Sequence, residues 1–283
     1  MDGDRALRFD VMVSGFLPGV GEELPNGERP AWPPLSHTLI YGDTEAALVD
    51  PPISVAQAAA VGDWVESKGR RLSFIYLTHW HPDHWLSTGE LVKRFPGVVV
   101  YTTRETRRRM GQAVSDGQPP ALFRELFPGQ LPAPVPLLAE VVPEDGFAVD
   151  GHDLIAVEVG HSDTEDTTVL HVPSLRLVAA GDVVYNNVHQ LMSETPDGGL
   201  EAWHRALEIV DALKPVHVVA GHKDVTRDDA PSTIGETRQY LDEIGPLLTS
   251  GLSRSEFFWA VLGRYPDRIG PSAVWLTADR VLK

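Results

Sequence analysis

The sequence predicts a layered α/β fold, and two observations carry that expectation. Nine short apolar runs rich in β-branched residues recur along the 283 residues, with helically spaced stretches between them, so strands and helices mix instead of segregating. A third observation says where such a fold would work. His or Asp closes several of the runs, and layered α/β folds place their functional loops at strand ends.

The strand-like runs are bounded by turn residues. They begin with FDVMVSGFL from residue 9, HTLIYG from 37, AALVD from 46, LSFIYLTH from 72 and GVVVYTT from 97. LIAVEVG from 154, TTVLHV from 167, RLVAAGD from 176 and VHVVAGH from 216 complete the set. Helical spacing is found near 54–68, 84–95, 103–114, 200–213, 231–248 and 253–264. Residues 18–34 hold five prolines and three glycines, and residues 117–143 hold seven prolines. These stretches read as loops, so 18–36 and 117–143 are expected as linkers or lids over a site. The segment 231–264 is expected as C-terminal helices. The aromatic stretch SRSEFFWAVLGRYPDRIGPSAVWL from residue 253 reads as helix packing, with a pocket wall or a dimer contact as alternatives.

Composition sets outer limits. A 42% hydrophobic fraction over 283 residues is ample for a packed core, and the chain is read as a single domain, 1–283. The formal charge of −16 would repel DNA or RNA. No cysteine is present, which removes disulfides, thiolate nucleophiles and thiolate metal ligands. The start carries no basic region leading into a long apolar run, and nowhere do 18 apolar residues occur together. The expectation is a cytoplasmic monomer or homodimer acting on a small molecule, with no nucleic-acid or membrane partner.

The stretch THWHPDHW, residues 78–85, is the densest chemical signal. A solvated polar loop, a metal site and a metal-free base cluster compete to explain it. Further His and Asp residues at strand ends favour metal: Asp50, His161, Asp182 and His222 each close an apolar run. In extended backbone, residues i and i+2 project to one side, so His79, His81 and Asp83 can converge while His84 enters from another direction. Imidazole and carboxylate donors suit zinc, iron or manganese.

The run His79-Trp-His81-Pro-Asp83-His84, followed in order by Gly-His161, Gly-Asp182 and Gly-His222, resembles the metallo-β-lactamase superfamily over about residues 36–223. The resemblance implies an αββα sandwich, two mixed β-sheets packed face to face with helices on both outer faces and metals at one edge. It implies one metal on His79, His81 and His161, another on Asp83, His84 and His222, and Asp182 bridging them. Asp50 would orient a ligand histidine, or else cap the turn before Pro51 and Pro52. The expected cofactors are two divalent ions, zinc first, with iron or manganese as alternatives.

Within the family, the absence of cysteine argues against the lactamases that use a cysteine ligand. The GD pair at Asp182 argues against those lacking a bridging carboxylate, and His81 stands where diiron oxygen-reducing members carry glutamate. The pattern is similar to the lactonase and glyoxalase-II-like hydrolases. These imply a metal-bridging hydroxide that cleaves a lactone, ester or thioester, with Asp83 assisting the leaving group and Tyr185 touching the substrate carbonyl. Packing at a strand end is the plainer reading of Tyr185. A mononuclear iron dioxygenase, a polyketide-type thioesterase or cyclase, and a catalytically idle ligand-binding relative are the alternatives. Trp80, Trp85, Asn186 and His189 are candidate pocket residues. Arg104, Arg107, Arg108 and Arg109 read as a solvated helix face, with anion binding as the alternative. Asp163, Glu165 and Asp166 read as turn and cap residues, with a place near the metals as the alternative.

Overall fold

A computed structural model describes residues 6–114, 119–132, 137–196 and 198–282. Its first half runs β1 (Arg8–Ser14), β2 (Leu17–Pro18), β3 (Ala31–Trp32), β4 (Leu35–Tyr41), β5 (Glu45–Val49), α1 (Val55–Ser67), β6 (Arg71–Tyr76), α2 (Thr88–Arg94), β7 (Val99–Thr102), α3 (Arg104–Ala113), α4 (Ala121–Leu126) and β8 (Glu140–Val141). The second half runs β9 (Phe147–Val149), β10 (His152–Gly160), β11 (Thr167–Val172), β12 (Leu177–Asn186), α5 (Gly199–Ala212), β13 (His217–Lys223), α6 (Ser232–Ile244), α7 (Arg254–Arg264) and α8 (Pro271–Val281).

Strand order is β8-β7-β6-β5-β4-β13-β12-β11-β10-β9, with β1 also on β4 and β2 paired only with β3. The strands from β5 to β8 pair in parallel, as do β12 and β13, while the other pairs on this path are antiparallel. The two halves are joined at one place, where His222 of β13 pairs with Leu35 of β4. The fold is therefore a single curled mixed sheet whose halves face each other. The seam between them carries one of the expected ligands.

Alternation along the strands builds the layers. Ile40, Ala47, Val49 and Tyr76 meet Leu170, Leu177, Ala179 and Val219 in a core between the two halves. Their neighbours Leu39, Ala46, Leu48 and Ile75 pack outward against Val61 of α1, Leu91 of α2 and Met110 of α3. On the other side Val178, Ala180 and Val218 pack against Trp203 of α5, Tyr240 of α6, Phe257 of α7 and Val274 of α8. Three apolar interfaces separate four layers, which is the helix–sheet–sheet–helix arrangement. Trp203 anchors the last of them, fully buried with its Nε1–H donated to the Val183 carbonyl at 2.9 Å.

Helix starts follow local chemistry. Ser54 with Gln57 and Ser253 with Glu256 form reciprocal caps that open α1 and α7. Pro271 opens α8, beyond the expected helical segment 231–264, and α4 lies inside the proline-rich stretch. Residues 117–118 and 133–136 of that stretch lie outside the described residues. The run RLVAAGD does not end at Asp182: β12 continues to Asn186 with all ten residues buried. Gly181 kinks it, with φ of +49° and a register shift against β13. A Cβ there would lie 2.5 Å from Thr78 Oγ1, so only glycine lets the two halves approach this closely.

Candidate metal centre

The first ligands leave β6 through Leu77 and Thr78. Thr78 is pinned by its backbone N–H to Asp50 Oδ1 at 2.9 Å and by its hydroxyl to Asp50 Oδ2 at 2.7 Å. His79 lies in a bend and His81 on extended backbone, and a single 3-10 turn, Pro82–His84, then redirects the chain. The proline fixes φ at the first position of that turn. Its consequence corrects the alternation argument: Asp83 does not join His79 and His81 but sits with His84.

Two groups of donors result around Asp182, and a third, of Asp50, His79 and His84, adjoins them. His79, His81, Asp163 and Asp182 offer atoms within 4.8 Å of one another, as do Asp83, His84 and His222. Asp182 stands between them, with Oδ1 3.2 Å from His84 Nε2 and Oδ2 3.3 Å from His222 Nε2. Asp83 Oδ2 lies 3.3 Å from His84 Nε2 and 3.2 Å from His222 Nε2. A cavity of about 380 Å³ opens over the groups, with His81, Asp83, Asp182 and His222 on its floor.

Each histidine has its outer nitrogen occupied. His79 Nδ1 is 2.9 Å from Thr78 Oγ1, and His84 Nδ1 is 3.0 Å from Asp50 Oδ2. His222 Nδ1 is 3.0 Å from the Pro34 carbonyl, and His81 Nε2 is 3.3 Å from Glu194 Oε1. Such partners fix tautomer and ring angle, leaving the opposite nitrogen as a lone-pair donor. Inward, His79 Nε2 is buried without a hydrogen-bond partner, and His84 Nε2, Asp163 Oδ2 and Asp182 Oδ1 are buried with only other donors of the two groups beside them; His161 Nε2 is buried and unpartnered as well. Unsatisfied buried polar atoms are rare; convergent ones of this chemistry fit a cation.

The electrostatics agree. Burial opposes charge on His84, yet Asp182, Asp83 and Asp50 together hold its pKa well above the ordinary range. Burial likewise opposes charge on His81, and Asp163 and Glu194 raise its pKa to about 10. Asp83 is held well below the carboxylate range, against its own desolvation, by His84 and His222. The carboxylates thus create a strongly cation-favouring interior.

His161 is not in either group. Its ring is turned toward the start of α5, where a Cβ on Gly199 would come within 2.8 Å of its Nε2. Asp163 stands beside His79 and His81, fully buried, with Oδ2 2.7 Å from His81 Nδ1 and 3.9 Å from His79 Nε2. Its loop is fastened from outside: Arg109 of α3 pairs with both Glu165 and Asp166, and Arg108 lies 3.5 Å from Asp166. Arg107 donates to the Ala139 carbonyl at 2.7 Å. Arg108 and Arg109 therefore brace the Asp163 loop, while Arg107 is tied to the segment before β8.

Tyr185 lines the cavity, but its hydroxyl donates to Asp182 Oδ2 at 2.7 Å and its ring stacks on His222. Trp80 and His189 also line the cavity. Trp80 donates to Thr164 Oγ1 at 2.8 Å, and His189 Nδ1 is 3.1 Å from the Tyr240 hydroxyl. Trp85 and Asn186 belong to the interior instead: Trp85 donates to the Trp80 carbonyl at 2.9 Å and Asn186 to the Asp228 carbonyl at 2.7 Å. Sequence reasoning missed Glu194 and Trp32, whose partners His81 and Asp83 are remote in the chain. For Asp163 a signal existed, since it stands two residues beyond His161 as His81 stands two beyond His79.

Comparison with known proteins gives a consistent result. The sequence model described as the metallo-beta-lactamase superfamily matches residues 35–222. The metallo-beta-lactamase type 2 of Bacteroides fragilis is 26% identical over 200 residues, 68% of this chain and 70% of that protein. A hydroxyacylglutathione hydrolase of Acidiphilium cryptum is 29% identical over 187 residues, 65% of this chain and 63% of its own. The solved metallo-beta-lactamase from Pontibacter korlensis superposes with a TM-score of 0.57 over 84% of this chain and all of that one, at 19% identity. At that identity the likeness speaks to the fold alone.

Proposed function

The chain belongs to the metallo-beta-lactamase superfamily, and from that premise we propose that it is a two-metal hydrolase cleaving an acyl bond, in a lactone, ester or thioester, of a small molecule. The observation that carries this reading is the convergence of two buried donor groups, His79, His81, Asp163 and Asp182 beside Asp83, His84 and His222, with Asp182 of the first 3.2 Å from His84 and 3.3 Å from His222 of the second. His79, His81 and Asp163 would hold one ion, Asp83, His84 and His222 the other, and Asp182 both. A shared carboxylate favours two ions over the single iron of a dioxygenase. Nitrogen and oxygen donors suit zinc, and also manganese or iron.

When bound, such ions supply Lewis acidity and a water-derived nucleophile near neutral pH. The chain's own residues do the rest. Asp50, Thr78, Glu194 and the Pro34 carbonyl orient the four imidazoles. Tyr185 holds Asp182 through its hydroxyl and therefore acts as a positioning residue. Asp83 lines the cavity floor and is the group we assign to the leaving alkoxide or thiolate. Hydrolysis of a small neutral bond in an acidic chain needs no nucleic-acid or membrane partner, and no described helix is long and apolar enough to cross a membrane. A cytoplasmic monomer or homodimer, with pocket lids formed by 18–36 and by the described parts of 117–143, completes the proposal.

The test is elemental analysis of the purified protein followed by a screen of lactones, thioesters and aryl esters with and without chelator. Turnover that chelator abolishes and divalent ions restore is expected. Full turnover in metal-stripped protein would refute the reading.

A further inference from the structure

The cavity has walls of a different character from its floor. One wall is Trp32 with Leu122, Phe123, Leu126 and Phe127 of α4 and its end; the other is Ala273, Trp275 and Leu276 of α8. Trp32 is packed into the first wall, its ring centroid 4.9 Å from Phe123 and 6.1 Å from Phe127. At about 380 Å³ the cavity lies near the small end of ligand sites, which run from roughly 300 to 1,000 Å³.

Acids outnumber bases along the cavity lining. Glu22, Glu194 and Asp279 face Arg254 and Arg280 there. Arg254 is 2.7 Å from Asp279 and stacked 4.5 Å from the Trp275 ring centroid, with its buried Nε left without a hydrogen-bond partner. A carboxylate-bearing substrate would meet more acids than bases, in a chain of formal charge −16. An apolar group between the walls would gain from leaving water.

Resting on the hydrolase reading above, we propose that this cavity selects an uncharged apolar acyl group, chain or ring, presented as an ester or lactone, and that Trp32 joins the acyl pocket to the metal centre. Its indole forms the wall, and its Nε1–H donates to Asp83 Oδ2 at 2.9 Å. Filling the pocket and holding a metal ligand in place are thus tasks of one side chain. Peptidic thioesters bearing carboxylates, such as acylated glutathione, are the class this pocket rejects.

The experiment uses metal-loaded protein and an ester series from acetyl to decanoyl, with a hydroxyacylglutathione thioester alongside. KM should fall by about fourfold per added methylene, the factor that corresponds to ~0.8 kcal/mol of transfer, until the pocket is full. Trp32→Phe keeps the wall and loses the hydrogen bond, so kcat should drop and the KM gradient persist. Trp32→Ala should flatten the gradient, and Leu126→Glu, which leaves Trp32 and its hydrogen bond intact, should flatten it independently. Binding of 2-undecanone, followed by tryptophan fluorescence in chelator-treated protein, reads the pocket without turnover. Ketone binding with no hydrolysis of any ester would support the pocket and overturn the hydrolase reading. A flat chain-length series, or preference for the glutathione thioester, would overturn the proposed pocket while leaving hydrolysis intact.

Discussion

Replacing Asp50 by Asn perturbs the metal centre without touching any of the seven residues proposed above to hold an ion. The backbone is spared: Asp50 sits at φ of +53°, a conformation Asn tolerates and Ala does not. Oδ1 would still accept from the Thr78 N–H, but an NH2 would replace Oδ2, which takes the Thr78 hydroxyl at 2.7 Å and His84 Nδ1 at 3.0 Å. Two donors would then face each other at His84. The ring escapes by moving its proton to Nε2, the nitrogen that lies 3.2 Å from Asp182 and 3.3 Å from Asp83. That removes the lone pair an ion needs. Loss of such outer partners lowers metal affinity by about 10- to 100-fold, equivalent to about 1.4–2.7 kcal/mol. Competition against a chromophoric chelator measures it directly. Asp50→Asn protein that binds both ions as tightly as wild type would refute the claim that Asp50 sets the tautomer of His84.

Asp163→Ala is expected to lose one of two bound ions, whereas His161→Ala keeps both; elemental analysis decides, and the reverse pattern would return His161 to the ligand set. Tyr185→Phe leaves Asp182 Oδ2 without its hydroxyl donor, so both ions stay, turnover slows, and urea unfolding shows a loss of about 1–3 kcal/mol. His37 makes acid stability legible. Burial pushes its pKa from 6.5 down to about 4, so the unfolded chain takes up the proton first as pH falls. Its contribution is fully present above pH 6.5 and is lost on the way to pH 4, to the extent of about 3 kcal/mol. Unfolding of chelator-treated wild type and His37→Asn across that window should differ in slope, with the variant flatter; equal slopes would refute the assignment.

By itself the sequence determined the layers and most of the donors. Unbroken apolar runs such as AALV and LVAA mark strands buried on both faces, and the caps Ser54-x-x-Gln57 and Ser253-x-x-Glu256 mark where helices begin. These are local properties, set by side-chain direction and backbone hydrogen bonding within a few residues. THWHPDHW announced a metal site for the same reason, since its imidazoles are dense whatever lies around them. Tertiary structure decided the rest. Whether His161 or Asp163 faces His81 depends on how the loop after β10 is held by Arg109 from α3 and on the room left beside Gly199. The hydroxyl of Tyr185 was free in the sequence and is committed to Asp182 in the fold. Trp32 and Glu194 acquired their roles from residues 51 and 113 positions away. Contacts of that range depend on how two half-sheets close on a seam at His222, and no local pattern encodes the angle at which they close.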